Sequence, residues 1–299
     1  MQALWMLLAA WLFASMGLCI KIASPHFTSM EIVASRGLIG VVFMLALMRW
    51  RRVPLKTPVP AMHAWRSLVG TVALATWFHA IAGLPLATAM TLNYMSSVWM
   101  AAFLVGGALL TQQPGDALRQ QGPLVLTVLA GFGGVALMLR PTFTPEQGLP
   151  GLSGLLSGVV SALAYLQVAA LARAGEPESR TVFYFSVGAA LVGLLGVAAT
   201  GRGSWTWAHT AWLLPIGVLA VLGQLCMTRA YARGGTLVVA SLQYMGIVFA
   251  SLYGLWWLNE RLPWPSWLGM GLIIASGLVA TRLRTRAAPQ TTALPANSP

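Results

Sequence analysis

Few residues in this chain could perform acid–base, nucleophilic or metal chemistry, and they are widely separated. Each acidic residue maps to a loop or to the end of an apolar segment: Glu31, Asp116, Glu146, Glu176, Glu178 and Glu260. The four histidines are scattered along the chain, and most of them lie in or beside loops. The sequence has no HExxH zinc pair, no G-x-S-x-G elbow and no Gly-Lys-Ser phosphate loop. These absences disfavour an enzyme or an ATP-driven pump, and the sequence predicts no cofactor and no bound metal.

A polar amide followed by a tyrosine recurs in two long apolar segments that lie half a chain apart. Leu92–Val98 reads LNYMSSV and Leu242–Val248 reads LQYMGIV, so that Leu, Tyr, Met and Val stay in register. The offset is 150 residues in a chain of 299. Amide and phenol groups hold polar ligand atoms by hydrogen bonds without adding charge. We therefore predict one shared binding site lined by the amide and the tyrosine of both segments: Asn93, Tyr94, Gln243 and Tyr244.

Four further side chains join this candidate binding site. Ser97 lies one helical turn after Asn93 and shares its helix face. Tyr165 lies in the middle of the sixth apolar segment, and His79 lies near Trp77 in the third. Polar and ionisable groups inside such segments are costly, which suggests a function for them. Each has a structural alternative, namely hydrogen bonding between helices or, for His79, a satisfied structural histidine.

The composition identifies the environment of these segments. The chain is 58% hydrophobic and only 8% charged, and its mean hydropathy is +0.75. A soluble domain carries about 25% charged residues because water must solvate its surface. Most of this surface must therefore face a lipid bilayer. The net charge of +12 does not indicate nucleic-acid binding, because the basic residues lie between apolar runs rather than on a soluble face.

Ten apolar runs are long enough, or nearly so, to cross the hydrocarbon core of a bilayer as a helix. About 20 residues are needed for roughly 30 Å of hydrocarbon. The predicted spans are 3–22, 29–48, 63–82, 88–109, 122–139, 151–172, 181–199, 211–230, 236–258 and 265–281. Ten crossings place both chain ends on the same side of the membrane.

The distribution of basic residues predicts the orientation and the domain organisation. Thirteen basic residues fall on the side of the termini and four on the other side, so the positive-inside rule places both termini in the cytoplasm. Because each half contains an odd number of spans, the second half enters the membrane from the opposite side. We predict an all-α membrane protein with ten transmembrane helices in two inverted five-helix repeats, 1–150 and 151–281. A disordered cytoplasmic tail, 282–299, follows them.

The predicted spans carry almost no charge. Arg36 is the one basic residue assigned to the interior of a span, and we expect it to extend to the interface or to pair with a backbone carbonyl. Arg66 is counted with the cytoplasmic basic residues. An uncharged chamber with aromatic walls suits a neutral or zwitterionic solute with an apolar side chain. Helix ends at broken spans could hold the carboxylate of such a solute through their dipoles.

One motif adds a family resemblance to this topology. Leu258–Leu262 reads LNERL, and Gly269, Gly271 and Gly277 follow it. With ten spans in two halves, this segment resembles the EamA type of the drug/metabolite transporter superfamily. The first half departs from the pattern, because Thr111–Gln113 stands where a Glu is expected. The resemblance implies a multi-pass protein of the bacterial inner membrane with a basket-shaped ten-helix fold. It also implies export of neutral, aromatic or apolar amino acids and related metabolites.

Several alternatives remain open at this stage. The chain could instead be a multidrug or other metabolite transporter of the same fold, an intramembrane enzyme, or a passive channel. The expected partners are small-molecule substrates such as amino acids and the lipid bilayer, with no nucleic acid. His79 is the remaining candidate for proton coupling, because histidine titrates near physiological pH. A facilitator driven by the solute gradient fits equally well, and the oligomeric state stays open, a monomer included.

Overall fold

The computed structural model of the chain describes residues 2–111, 145–201, 203, 207–233, 239 and 242–261, with parts of 122–137 and 263–279. Every regular element in these residues is helical. The helices are α1 (Gln2–Ala23), α2 (Ser29–Trp50), α3 (Pro60–Gly83), α4 (Leu86–Tyr94), α5 (Ser96–Thr111), α6 (Gly148–Arg173), α7 (Glu178–Thr200), α8 (Trp207–Thr210), α9 (Leu213–Arg233) and α10 (Met245–Trp257), with a 3-10 turn at Pro145–Gln147. The predicted tail 282–299 lies outside the described residues.

The long helices have the length and the surface of membrane spans. By length and composition, α1, α2, α6, α7 and α9 can each cross a bilayer. Large apolar side chains point away from the protein, with Leu4, Val42 and Leu195 each 67–69% exposed. Helical residues are also described within 122–137 and 264–279, where the fifth and tenth spans are predicted. The predicted all-α membrane fold is confirmed.

Two of the predicted spans are broken at the repeated amide–tyrosine segment. The fourth span is two helices, because α4 ends at Tyr94, Met95 is a turn and α5 begins at Ser96. In the second half, Gln243 and Tyr244 form a turn immediately before α10. The prediction of one continuous helix over the fourth span is wrong, because the sequence around Met95 contains no Gly or Pro that would mark the break. The Val98 N–H bonds to the Met95 carbonyl at 2.9 Å, so a tight turn keeps the backbone groups paired.

The helix contacts follow a two-fold pattern. Helix α2 packs against its counterpart α7 in the other half. Helix α1 packs against α9 and α3 packs against α6, which are the same two positions with the halves exchanged. Two repeats related by a two-fold axis produce this pairing. The arrangement brings α1 to α4 of the first half against α6, α7 and α9 of the second.

Glycines allow the closest of these approaches. A Cβ atom added to Gly37 of α2 would lie 2.6 Å from the Ala190 Cα of α7, and one added to Gly193 would lie 2.6 Å from the Ala34 Cα of α2. The two backbones therefore touch at this crossing. Gly154 and Gly158 of α6 form a GxxxG pattern, which predicts close helix packing. The packing is close, because a Cβ on Gly158 would lie 2.6 Å from the Leu92 carbonyl oxygen of α4.

Candidate functional site

A cavity lies where α4 ends, between the two halves of the protein. It has a volume of about 40 Å³, which holds only a few water molecules. The cavity is lined by Phe13, Arg36, Arg66, Gly70, Ala73, Leu74, Trp77, Asn93, Tyr94, Ser161, Ala164, Tyr165, Phe185 and Gln224. These residues come from α1 to α4 and from α6, α7 and α9, so both repeats contribute. The cavity is smaller than the several hundred Å³ that a drug-sized ligand fills, so it would have to widen to hold one.

The end of α4 is held at the cavity by polar and steric contacts. The Asn93 amide donates hydrogen bonds to the Ser157 and Ser161 hydroxyls of α6, both at 3.1 Å. The Tyr94 side chain is 1% exposed, and its hydroxyl has no hydrogen-bond partner among the described residues. A Cβ added to Gly246 of α10 would lie 2.6 Å from that hydroxyl oxygen. The missing side chain at Gly246 therefore makes room for the Tyr94 ring.

Two arginines carry their charges into this cavity. Arg36 of α2 and Arg66 of α3 are 5% and 2% exposed. Their guanidinium carbons lie 5.1 and 4.1 Å from the centroid of the Phe185 ring, so the two charged groups share one aromatic neighbour. The Nε and Nη1 atoms of both arginines have no hydrogen-bond partner among the described residues. The cavity therefore contains buried N–H donors that no described protein group satisfies.

This arrangement corrects the prediction of an uncharged chamber. Arg66 was counted as a cytoplasmic charge because it lies near the start of the predicted span 63–82. Helix α3 begins earlier, at Pro60, so Arg66 falls in its second turn and its long side chain reaches inward. A Cβ at Gly70, one turn further on, would overlap the Arg66 Nη1 atom. Glycine at that position gives the guanidinium its space.

The structure brings four of the eight candidate site residues together at the cavity. Those four are Trp77, Asn93, Tyr94 and Tyr165. Ser97, Gln243 and Tyr244 are buried at or beside the two helix breaks, but they do not line the cavity. His79 is exposed and borders a separate surface depression that also includes Thr76 and Ser153. The cavity and the second break are connected, because Tyr231 stacks on Tyr165 and donates a 3.3 Å hydrogen bond to Gln243.

Sequence reasoning missed several lining residues. Phe13, Phe185 and Gln224 lie in apolar helices where nothing in their spacing distinguishes them from packing residues. Arg66 carried a usable signal, because it falls inside a predicted span just as Arg36 does. Two ionisable residues inside spans are a stronger indication of function than one.

A polar network joins loops and helices at the membrane face where α3 begins. The buried carboxylate of Glu176 accepts hydrogen bonds from Thr57 at 2.8 Å and from Arg180 at 3.1 Å, and it pairs with His63 at 2.9 Å. Arg180 also donates to the Pro54 carbonyl. Burial alone would raise the pKa of Glu176, but the partners His63, Thr57 and Arg180 outweigh it and lower that pKa below its usual value. The network fastens the loop before α3 to the loop before α7.

A second network lies at the opposite face, where α3 ends. The Glu260 carboxylate accepts a 3.1 Å hydrogen bond from the Leu86 N–H at the start of α4. Lys21 donates to the Ile81 and Leu84 carbonyls at 3.0 and 2.6 Å. Burial raises the pKa of Glu260, and the Leu86 N–H and the Lys21 charge offset only part of that effect. The carboxylate of the LNERL motif thus caps the broken helix of the other half.

Both halves of the chain match a known family of membrane transporters. The sequence profile of the EamA-like transporter family matches residues 1–115 and 149–282, one segment in each half. Two proteins named pseudopaline exporter CntI, from two Pseudomonas aeruginosa strains, are 30% and 31% identical to this chain over 91% of it and 93% of their own length. A riboflavin transporter of Rhizobium johnstonii is 26% identical over 95% of this chain and 92% of its own.

Structural comparison agrees with the sequence match. A solved crystal structure superposes with a TM-score of 0.75 at 19% identity, covering 95% of this chain and 98% of that one, which shows a shared fold. The family has a ten-helix membrane fold, consistent with the helices and the half-to-half contacts described above. The chain belongs to the EamA-like transporter family.

Proposed function

We propose that this transporter exports small organic solutes with an apolar or aromatic part from the bacterial cytoplasm by alternating access, and the amino acids expected from the sequence are one candidate class. The observation that carries the proposal is the cavity between the two repeats, which has aromatic walls and polar groups at a helix break. Transporters built from inverted repeats bind their substrates at such breaks near the membrane midplane. The relative named as a pseudopaline exporter supports the outward direction.

The candidate residues receive separate roles in this proposal. Trp77 and Tyr165 flank the apolar part of the solute, while Asn93 and Tyr94 bind its polar groups beside the arginines. Gln243 and Tyr244 of the second repeat and Ser97 of the first are buried at the breaks, where they hold the Tyr94 region in place. His79 lies outside the cavity, so a proton-coupling role for it would act from the surface.

The two polar networks are suited to closing the pathway alternately. One fastens the loop before α3 to the loop before α7, and the other fastens the start of α4 at the opposite face. Opening one network while the other stays closed would expose the cavity to one side at a time. We place both termini and the Glu176 network on the cytoplasmic side of the inner membrane, following the distribution of basic residues.

Other functions of this fold are separated by one experiment. A multidrug or other metabolite transporter would differ in substrate, and flux through a passive channel would not saturate. The transporter names of the relatives disfavour an intramembrane enzyme.

The test uses purified protein in liposomes that are loaded with single labelled solutes. We expect saturable, stereoselective efflux of at least one amino acid or organic acid. The lipid-facing Leu195→Ala variant is the control and should behave like wild type. Linear, non-selective efflux of every solute would contradict the proposal.

A further inference from the structure

The arginine pair indicates the charge of the substrate. We infer that Arg36 and Arg66 form a subsite for two negative charges, and that the transported solute is an organic acid with two carboxylates and an apolar part. This inference rests on the proposed transport function and deepens it. It departs from the neutral amino acids expected from the sequence, because those would leave one of the two cations unpaired.

Burying Arg36 and Arg66 without a counter-charge costs free energy. An unpaired buried charge loses several kcal/mol of solvation, and two cations near one ring also repel each other. A cation–π contact with Phe185 offsets only part of this loss, and it leaves the N–H donors unsatisfied. The aromatic ring therefore orients the guanidinium groups without neutralising them. Such a costly pair is expected where a ligand supplies the negative charge and the hydrogen-bond acceptors that the two arginines lack.

Three acids whose carboxylates are buried or half-buried are engaged elsewhere. Glu31 accepts hydrogen bonds from the Thr28 and Gly203 N–H groups, at 2.8 and 3.2 Å. Glu176 and Glu260 belong to the two networks at the membrane faces. None of the described residues that line the cavity is acidic. No described residue brings a compensating negative charge to the pair, and we therefore assign that charge to the solute.

The geometry of the guanidinium groups and the apolar lining of the cavity favour a carboxylate as the anion. A planar guanidinium binds a carboxylate through two parallel hydrogen bonds, and two guanidinium groups beside one ring can each take one carboxylate. Phe13, Leu74 and Trp77 line the same cavity and favour an apolar group on the same molecule. An inorganic anion would leave that apolar wall unused. An ammonium group would meet two like charges and no described carboxylate.

The test is a charge series on one carbon skeleton, measured by calorimetry on the purified full-length protein. The ligands are phenylsuccinate with two carboxylates, 3-phenylpropionate with one, 3-phenylpropionamide with none, and phenylalanine as the zwitterion. Inorganic phosphate serves as the non-carboxylate anion. We expect phenylsuccinate to bind at least about tenfold tighter than 3-phenylpropionate, because a charged hydrogen-bonded pair is worth that factor or more.

Variants of the two arginines test whether Arg36 and Arg66 cause the preference for phenylsuccinate. Arg36→Gln and Arg66→Gln should each lower the affinity for phenylsuccinate by about tenfold or more. The ratio of the phenylsuccinate affinity to the 3-phenylpropionate affinity should then fall to near one. Arg36→Lys should keep part of the advantage, because it keeps the charge. The control is Arg229→Gln, which removes an arginine that stacks on Trp5 outside the cavity, and it should leave the series unchanged. If an arginine variant does not fold, the wild-type ligand series still decides the inference.

Three results would overturn the inference. They are equal affinity for phenylalanine and phenylsuccinate, tighter binding of phosphate than of any carboxylate, and no binding of phenylsuccinate. Liposome flux separates this failure from failure of the proposed function. Saturable flux of a neutral or cationic solute, unchanged in Arg36→Gln and Arg66→Gln, would end the dicarboxylate inference and leave transport in place. No saturable flux with retained charge-selective binding would end the transport proposal and support the subsite.

Discussion

Replacing Gly37 by alanine should separate α2 from α7 and disturb the arginine next to it. The added Cβ would lie 2.6 Å from the Ala190 Cα and 2.9 Å from the Ala189 carbonyl carbon, whereas ordinary contact begins near 3.4 Å. Because these are backbone atoms, no rotamer change relieves the clash, and the helices must move apart by roughly 0.5–1 Å. Arg36 would then lose its position over Phe185, which lies on α7.

Two opposing effects set the change in the free energy of unfolding that Gly37→Ala should cause. Overpacking a tight contact costs about 1–3 kcal/mol, and a backbone clash lies toward the upper end. Alanine improves helix propensity over glycine by roughly 0.5–1 kcal/mol. The expected net destabilisation of Gly37→Ala is therefore about 1–2 kcal/mol. Gly106→Ala gains the propensity term alone, because its Cβ meets no atom of the described residues within 4 Å, so it is the matched control.

The assay is unfolding of the purified protein in mixed micelles by increasing SDS, followed by circular dichroism. Gly37→Ala should unfold at a lower SDS fraction than wild type, and Gly106→Ala at the same or a higher one. The phenylsuccinate affinity of Gly37→Ala should also fall. If Gly37→Ala matched Gly106→Ala in stability, the close approach of α2 and α7 would be refuted.

Three further predictions concern the networks and the tyrosines. Glu176→Gln should reduce stability at pH 7, because the lowered pKa of Glu176 makes its ionised form stabilising above about pH 4. The difference from wild type should shrink as the pH falls through that lowered pKa, which SDS unfolding at pH 7, 5 and 3 measures. Gly246→Ala should displace the Tyr94 ring and lower liposome flux severalfold. Gly271→Ala should not, because a Cβ there meets no described residue within 4 Å. Tyr94→Ala and Tyr244→Ala should each lower flux, with expression measured by immunoblot unchanged.

Each of these predictions has a contradicting result. A stability difference for Glu176→Gln that does not change between pH 7 and pH 3 would show that the ionised carboxylate does not stabilise the network. Full flux in Gly246→Ala would show that the Tyr94 ring tolerates a neighbour at that point. Unchanged flux in both tyrosine variants would remove the tyrosines from the transport pathway.

The helices could be predicted from sequence because each span is a long apolar run bounded by polar residues. Helix α2 (Ser29–Trp50) lies within two residues of its predicted bounds, 29–48. The breaks at Met95 and Tyr244 could not be predicted, because the apolar run continues through both and neither contains proline. A break of this kind depends on partners from distant helices, such as the Asn93 bonds to α6.

The site was harder to predict than the fold because its residues meet only through packing between the halves. The repeated amide and tyrosine identified the end of α4, where Asn93 and Tyr94 line the cavity. The charge of the site depends on the direction in which Arg66 points, and that follows from Gly70 one turn away and from Phe185 on another helix. Composition alone therefore indicated the membrane environment correctly and the chamber charge incorrectly.

The most direct test asks whether the cavity opens to both sides of the membrane. Ala164 lines the cavity, whereas Ala162, two residues earlier on the same helix, is fully buried and does not. In a background with Cys19→Ser and Cys226→Ser, Ala164→Cys is treated with a membrane-impermeant maleimide in intact cells and in inverted vesicles. Alternating access predicts labelling of Ala164→Cys from both sides and of Ala162→Cys from neither. Labelling of Ala164→Cys from neither side would contradict the account.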